Sequence, residues 1–131
     1  MVETKTMTVG GVEYRMKCSI LTTEAFERLT GKKYGQVISR YQKLQRALNT
    51  MSEEDFEEYL LENILDIQMD ALQLAYCMIR EADPEFSQSM DGFMGSVENL
   101  SSEELKGVLH MASSVFPRSL RKRAEGSKAQ G

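Results

Sequence analysis

The sequence predicts an α+β protein, mainly α, with an N-terminal β-hairpin followed by a bundle of about four to five helices. Residues 4–20 alternate apolar and polar side chains on either side of Gly10-Gly11. After Ile20 the apolar residues recur every three or four positions instead, which is the spacing of a helix face. Composition agrees: Trp is absent, there are only two Pro, and Leu, Met, Glu and Gln are frequent, all of which favours helix.

The hairpin is legible from its second arm. Val12, Tyr14, Met16, Cys18 and Ile20 share one face, while Glu13, Arg15 and Lys17 share the other. Period-two alternation beside a Gly-Gly dipeptide signals a tight turn between strands. A two-stranded ribbon is marginal alone in water, so its apolar face must lie on the helices or on another copy of the chain.

The helices follow in order. Thr22 or Thr23 is placed to cap a short first helix, with Glu24 in its first turn, an apolar side of Ala25, Phe26 and Leu29, and Gly31 as its stop. From about Gln36 to Leu48, the residues Val37, Ile38, Tyr41, Leu44 and Leu48 make an apolar stripe, with Arg40, Lys43 and Arg46 mostly off it. Ser52, followed by Glu53, Glu54 and Asp55, opens a long third helix. Its inner face runs through Phe56, Leu60, Ile64, Ile67, Ala71, Leu74, Ala75 and Met78, and it ends before Asp83-Pro84. The stretch 71–79 is apolar nearly all round and should be the most buried. Residues 84–100 read as one short helix and a turn, weakened by Gly92 and Gly95. Ser101-Ser-Glu-Glu104 is a capping-box pattern opening a last helix, which Pro117 ends. A single domain is expected over 1–117, with hairpin 4–20 and helical body 22–117. Residues 118–131 form a basic tail whose end, from Ala124, has the small polar composition of disorder.

Composition narrows the function. In 131 residues no stretch approaches the ~20 apolar residues of a membrane span, and the first residues lack the apolar run of a secretory signal. Cys18 and Cys77 stand alone beside a single His, so packed free thiols in a reducing cytoplasm are expected. The net charge of −4 is unevenly spread: 52–91 carries −11, whereas 21–51 and 118–131 each carry +4. Such asymmetry concerns docking more than fold.

Candidate sites are few. Asp55, Glu58, Glu62, Asp66 and Asp70 wind along one side of the long helix. Paired carboxylates can serve acid–base chemistry or hold a hard metal, but a solvated helix face is the commoner explanation. Arg40, Lys43 and Arg46 are the cations available to offset them, from the same chain or a second copy. His110 falls opposite the Leu105/Leu109/Ala112 stripe, as an exposed helical His. Gly10-Gly11 lacks the Lys and helix of a phosphate loop. The nine Met suit core filling first and adaptable binding surfaces second. No enzyme, cofactor or metal is expected. Arg118, Arg121, Lys122 and Arg123 are the best nucleic-acid candidates, although no aromatics interleave them for base stacking.

Two stretches near the start, Val9-Gly-Gly-Val-Glu-Tyr-Arg-Met-Lys17 and Phe26-Glu-Arg-Leu-Thr-Gly-Lys32, resemble the beginning of tail assembly chaperones from long-tailed bacteriophages and prophages. So do Leu72-Gln-Leu-Ala-Tyr-Cys-Met-Ile-Arg-Glu-Ala-Asp-Pro-Glu-Phe86 and Val97-Glu-Asn-Leu-Ser-Ser-Glu-Glu-Leu105. The resemblance covers about residues 7–117 and rests on the order and spacing of loose patterns.

It implies a small protein of the bacterial host cytoplasm, absent from the finished virion. Such a protein coats the long, helical tape-measure protein and recruits tail-tube subunits around it, working in many copies as a homo-oligomer, without membrane or nucleic acid. In many phages a ribosomal frameshift appends a second domain, in which case this chain is the unextended form. The groove expected to receive client or sister chain lies between the basic second helix (Tyr41, Leu44) and the Phe86–Val97 segment (Phe86, Met90, Phe93, Met94). The basic tail would contact a tube subunit or an acidic client segment. The competing expectation is a small DNA-associated accessory or regulatory protein of a mobile element, using Arg118–Arg123 on phosphate. Net negative charge and the lack of a helix-turn-helix weigh against it.

Overall fold

Gly10 and Gly11 both sit at positive φ, 60° and 83°. A two-residue primed turn needs that backbone, because its twist matches the twist of the flanking strands. The turn joins β1 (Thr4–Val9) to β2 (Val12–Lys17) as an antiparallel pair, with Val9 opposite Val12 and Thr4 opposite Lys17. The computed structural model describes residues 3–116. Beyond the hairpin lie α1 (Ile20–Thr30), α2 (Tyr34–Thr50), α3 (Glu53–Ala82), α4 (Met90–Ser96) and α5 (Ser102–Ala112), closed by a 3-10 turn at Ser113–Val115. The architecture is α+β and mainly α, as the patterning predicts.

The register puts Met7 and Val9 on the same face as Tyr14 and Met16. Val9 and Met16 are fully buried, and the ribbon lies on α3 and α5 of its own chain. Intramolecular packing therefore covers the hairpin's apolar face. Two members of the expected face depart from it. Val12, beside the turn, remains half exposed, and Ile20 is 70% exposed. Ile20 is already the first residue of α1, where period-two alternation no longer governs direction.

The first helix starts earlier than its threonines suggest. Ser19, not Thr22 or Thr23, is the N-cap: its hydroxyl accepts from Leu21 N, and Thr22 Oγ1 accepts from Ser19 N at 2.9 Å. Thr22 is thereby the third helical residue of a capping box and is fully buried. This shifts Glu24 out of the first turn, and Leu29 is 44% exposed rather than apolar core. Gly31 ends the helix in the left-handed conformation at φ 73°. Helix α2 also begins sooner than expected, at Tyr34 behind Lys33, which offers no side-chain cap. Tyr34 N–H instead donates to Glu27 Oε2 of α1 at 2.9 Å, a tertiary contact that periodicity cannot announce.

Helix α3, capped by Ser52 as expected, extends for 30 residues, about 45 Å. Its second half is the centre of the protein: Ile67, Ala71, Leu74, Ala75, Tyr76, Cys77, Met78 and Ile79 are all buried. The hairpin, α1, α2, α4 and α5 each pack on α3. From Glu53 to Asp66, by contrast, no residue of the helix is buried. Residues 84–100 form α4 and a turn, and Ser101 with Glu104 makes the anticipated capping box of α5.

Candidate partner-binding groove

Where α3 leaves the core, its inner stripe continues as Phe56, Leu60 and Ile64 without a full cover. Facing it are Tyr41, Leu44 and Leu48 on α2 and Leu105 on α5, and together these bound a groove of about 760 Å³. Gln45, Asn49, Ser102, Lys106 and His110 contribute its polar lining. The groove exists because α2 and α3 form an antiparallel pair while α5, with 11 residues, closes the third side only over part of their length.

One wall is fixed by hydrogen bonds. Tyr41 is buried, its hydroxyl 3.1 Å from His110 Nδ1 and accepting from Gln45 Nε2 at 2.8 Å. The rings of Tyr41 and His110 meet edge to face, with centroids 6.4 Å apart. His110 is thus exposed, as its place on the helix implies, but it also joins α5 to α2 at the groove. A large apolar lining with a few convergent polar groups is the usual make-up of a binding site.

The sequence-predicted residues divide into three groups. Tyr41 and Leu44 do line a groove, but its opposite walls are α3 and α5, and the Phe86–Val97 segment is not part of it. Phe86 and Phe93 are committed elsewhere. With Tyr14 of the hairpin and Tyr76 of α3 they form a four-ring cluster with centroids 5.7–6.2 Å apart. Phe93 is fully buried, and Tyr76 OH donates to Gln88 O at 2.7 Å, pinning the segment down. Met90 and Met94 are half-buried against the same core. This segment serves as the lid of the hairpin core, since its aromatics find ring partners there. Arg118, Arg121, Lys122 and Arg123 lie outside the described residues.

The acidic stripe also divides. Asp55, Glu58, Glu62 and Asp66 are exposed. Asp70 is 1% exposed and bonded to Arg40 at 2.6 Å, Lys32 at 2.8 Å. Arg40 is among the cations expected to offset the stripe, whereas Lys32, just after the α1 stop, is not. Among the described residues, no group of three or more His, Cys, Asp or Glu is placed to hold a metal. No described helix is long and apolar enough to cross a membrane.

Both cysteines are free and buried. Burial raises the Cys18 thiol above its ordinary value and pushes Cys77 up to about 11, so each is held as a neutral packing group. Cys18 Sγ lies 3.5 Å from Tyr34 OH, and that hydroxyl donates to Ala112 O, tying α2 to the end of α5. Two features carry no signal in residue spacing or composition. They are the α5 wall of the groove and the exposure of Leu61 and Leu65, both set by where α3 outruns its neighbours. In comparisons with known proteins, no family model, no curated protein and no solved structure matches this chain.

Proposed function

We propose that this chain is a phage or prophage tail assembly chaperone, which binds and solubilises the tape-measure protein and helps recruit tail-tube subunits during tail morphogenesis. The observation that carries this reading is the apolar groove between α2, the first half of α3 and α5. An apolar groove left open beside a packed core calls for an occupant. A groove walled by helices suits an amphipathic helix, laid in through residues one turn apart. A long helical client would present such a face repeatedly, so many copies would coat it, each holding one segment out of water. The order of sequence motifs that resembles tail assembly chaperones supports the same reading. The acidic exterior of α3 supports solubility of the coated assembly.

The test is co-expression with the tape-measure protein of the same genome. That protein should be insoluble alone and soluble beside the wild-type chain. Leu44→Glu or Leu60→Glu, which places charge in the groove, should return it to the insoluble fraction. A tape-measure protein that stays insoluble beside the wild-type chain overturns the reading.

A further inference from the structure

Helix α3 carries a second apolar row that the groove does not use. Leu61, Leu65 and Met69 recur at four-residue spacing and are 80%, 78% and 49% exposed. At 3.6 residues per turn they project from the side of α3 roughly opposite Phe56 and Leu60. The row is therefore a separate surface, with the groove on the other side of the same helix.

Its electrostatic setting is one-signed. Every acidic residue from Glu53 to Asp66 is exposed, and the chain has no Lys or Arg between Arg46 and Arg80. Glu54, Glu58 and Glu62 border the row by helical position. The cations of Lys32 and Arg40 reach α3 at Asp70 and, for Lys32, at Gln73, all beyond the row's midpoint. An apolar strip framed by carboxylates that no cation bonds among the described residues selects a partner with the opposite frame.

We propose that Leu61, Leu65 and Met69 dock one amphipathic helix of a partner polypeptide, with apolar residues at spacings of three or four and Lys or Arg on both flanks. This goes beyond the groove reading and concerns a second partner surface. A second copy of this chain fits poorly. Row against row would bring two acidic faces together, the exposed cations Lys43 and Arg46 of α2 lie mostly off its apolar stripe, and beside the exposed Ile20, Leu21 and Leu29 of α1 the cation Arg28 is already paired with Glu24. The segment 118–123 supplies charge but a single large apolar residue, Leu120.

The experiment uses the full chain and a fluorescent 18-residue helical peptide with Leu at every third or fourth position and Lys on both flanks. Two controls accompany it, one with Glu in place of Lys and one a scramble of the same composition. The Lys peptide should bind by anisotropy, weaken as salt rises, and lose at least about tenfold in affinity against a Leu61→Ser/Leu65→Ser double variant. Both positions are exposed, and an unchanged thermal melt checks that the variant folds. The Leu44→Glu groove variant should bind the Lys peptide as wild type does, which separates this surface from the groove. Equal binding of the Glu or scrambled peptide overturns the proposal, as does full affinity in the double variant or loss of binding in Leu44→Glu. So does a concentration-dependent dimer in sedimentation that the double variant abolishes, since that would make a second copy the occupant.

Discussion

The two halves of α3 share one backbone, and both are rich in Leu and Ile, yet they behave as different kinds of structure. From Ile67 to Ile79 the helix is the hub on which hairpin and helices converge. From Glu53 to Asp66 it is acidic, has apolar residues on two opposite sides and buries none of them fully. Helix propensity does not separate them; neighbours do. The sealed half shows how the fold is held, and the open half holds the surface left for something else. Among the described residues, the short α4 and α5 leave the open half without the cover that burying it would need.

The sharpest way to break this contrast is a matched pair of truncations. Leu74 is fully buried, so Leu74→Ala should cost about 2–5 kcal/mol, as buried leucines do when a cavity remains. Leu65→Ala, at 78% exposure, should change stability by no more than about 0.5 kcal/mol. Chemical denaturation of the two variants measures both. Similar costs would mean that the open half is covered in solution, by a partner or by a second copy.

A second pair compares charges at the boundary. Asp70 is buried with two cations on it, whereas Asp66, one turn earlier, is exposed. Asp70→Asn keeps the shape but removes the attraction to Lys32 and Arg40. Both cations are about one-third exposed and can rehydrate, so the loss should be about 1–2 kcal/mol, below that of a fully buried pair. Asp66→Asn removes one of several like charges and should be neutral or slightly stabilising, by roughly a few tenths of a kcal/mol. The midpoint of thermal unfolding reads the difference. An Asp66 variant as damaged as the Asp70 variant would place an unseen cation on the open half.

How much of this was legible in the sequence follows the same division. The hairpin was readable because Gly10-Gly11 and strict alternation fix turn and register together. The caps at Ser52 and Ser101 were readable because capping is local chemistry. At the start of α1 the local signal was ambiguous: Ser19, Thr22 and Thr23 are all capping types, and the choice fell to Ser19 because Thr22 turns inward to complete the box. The groove was half legible. Tyr41 and Leu44 announce an apolar face on α2, but nothing local says which element stands opposite. Phe86 and Phe93 looked like surface anchors because spacing cannot reveal that Tyr14, about 70 residues earlier, would supply their ring partner.

Glu104 offers the finest cut, since the first turn of α5 touches both regions. Its neighbours Ser102 and Leu105 line the groove, while its own carboxylate reaches the hairpin. Ser101 N–H donates to Oε1 at 2.9 Å and Gly11 N–H to Oε2 at 3.2 Å. Chiefly through the Ser101 bond, and then the Gly11 bond, the Glu104 carboxyl is held below the usual Glu range. A carboxyl whose value is depressed in the folded state stabilises it above the unfolded value, about 4.3, and that contribution fades as pH falls through the folded value. The group is largely exposed, so Glu104→Gln should lower stability near neutral pH by roughly a few tenths of a kcal/mol, and the gap should close as pH falls through the folded value. Amide exchange sharpens the result. Acid, or the Gln variant at neutral pH, should speed exchange relative to the intrinsic rate at Gly11 more than along 53–66, because the bonds weakened belong to the hairpin turn and the α5 cap and none to 53–66. Equal acceleration at both would show that the turn and the open half of α3 move as one unit, and the division of α3 into a sealed and an open half would not describe the protein's motion.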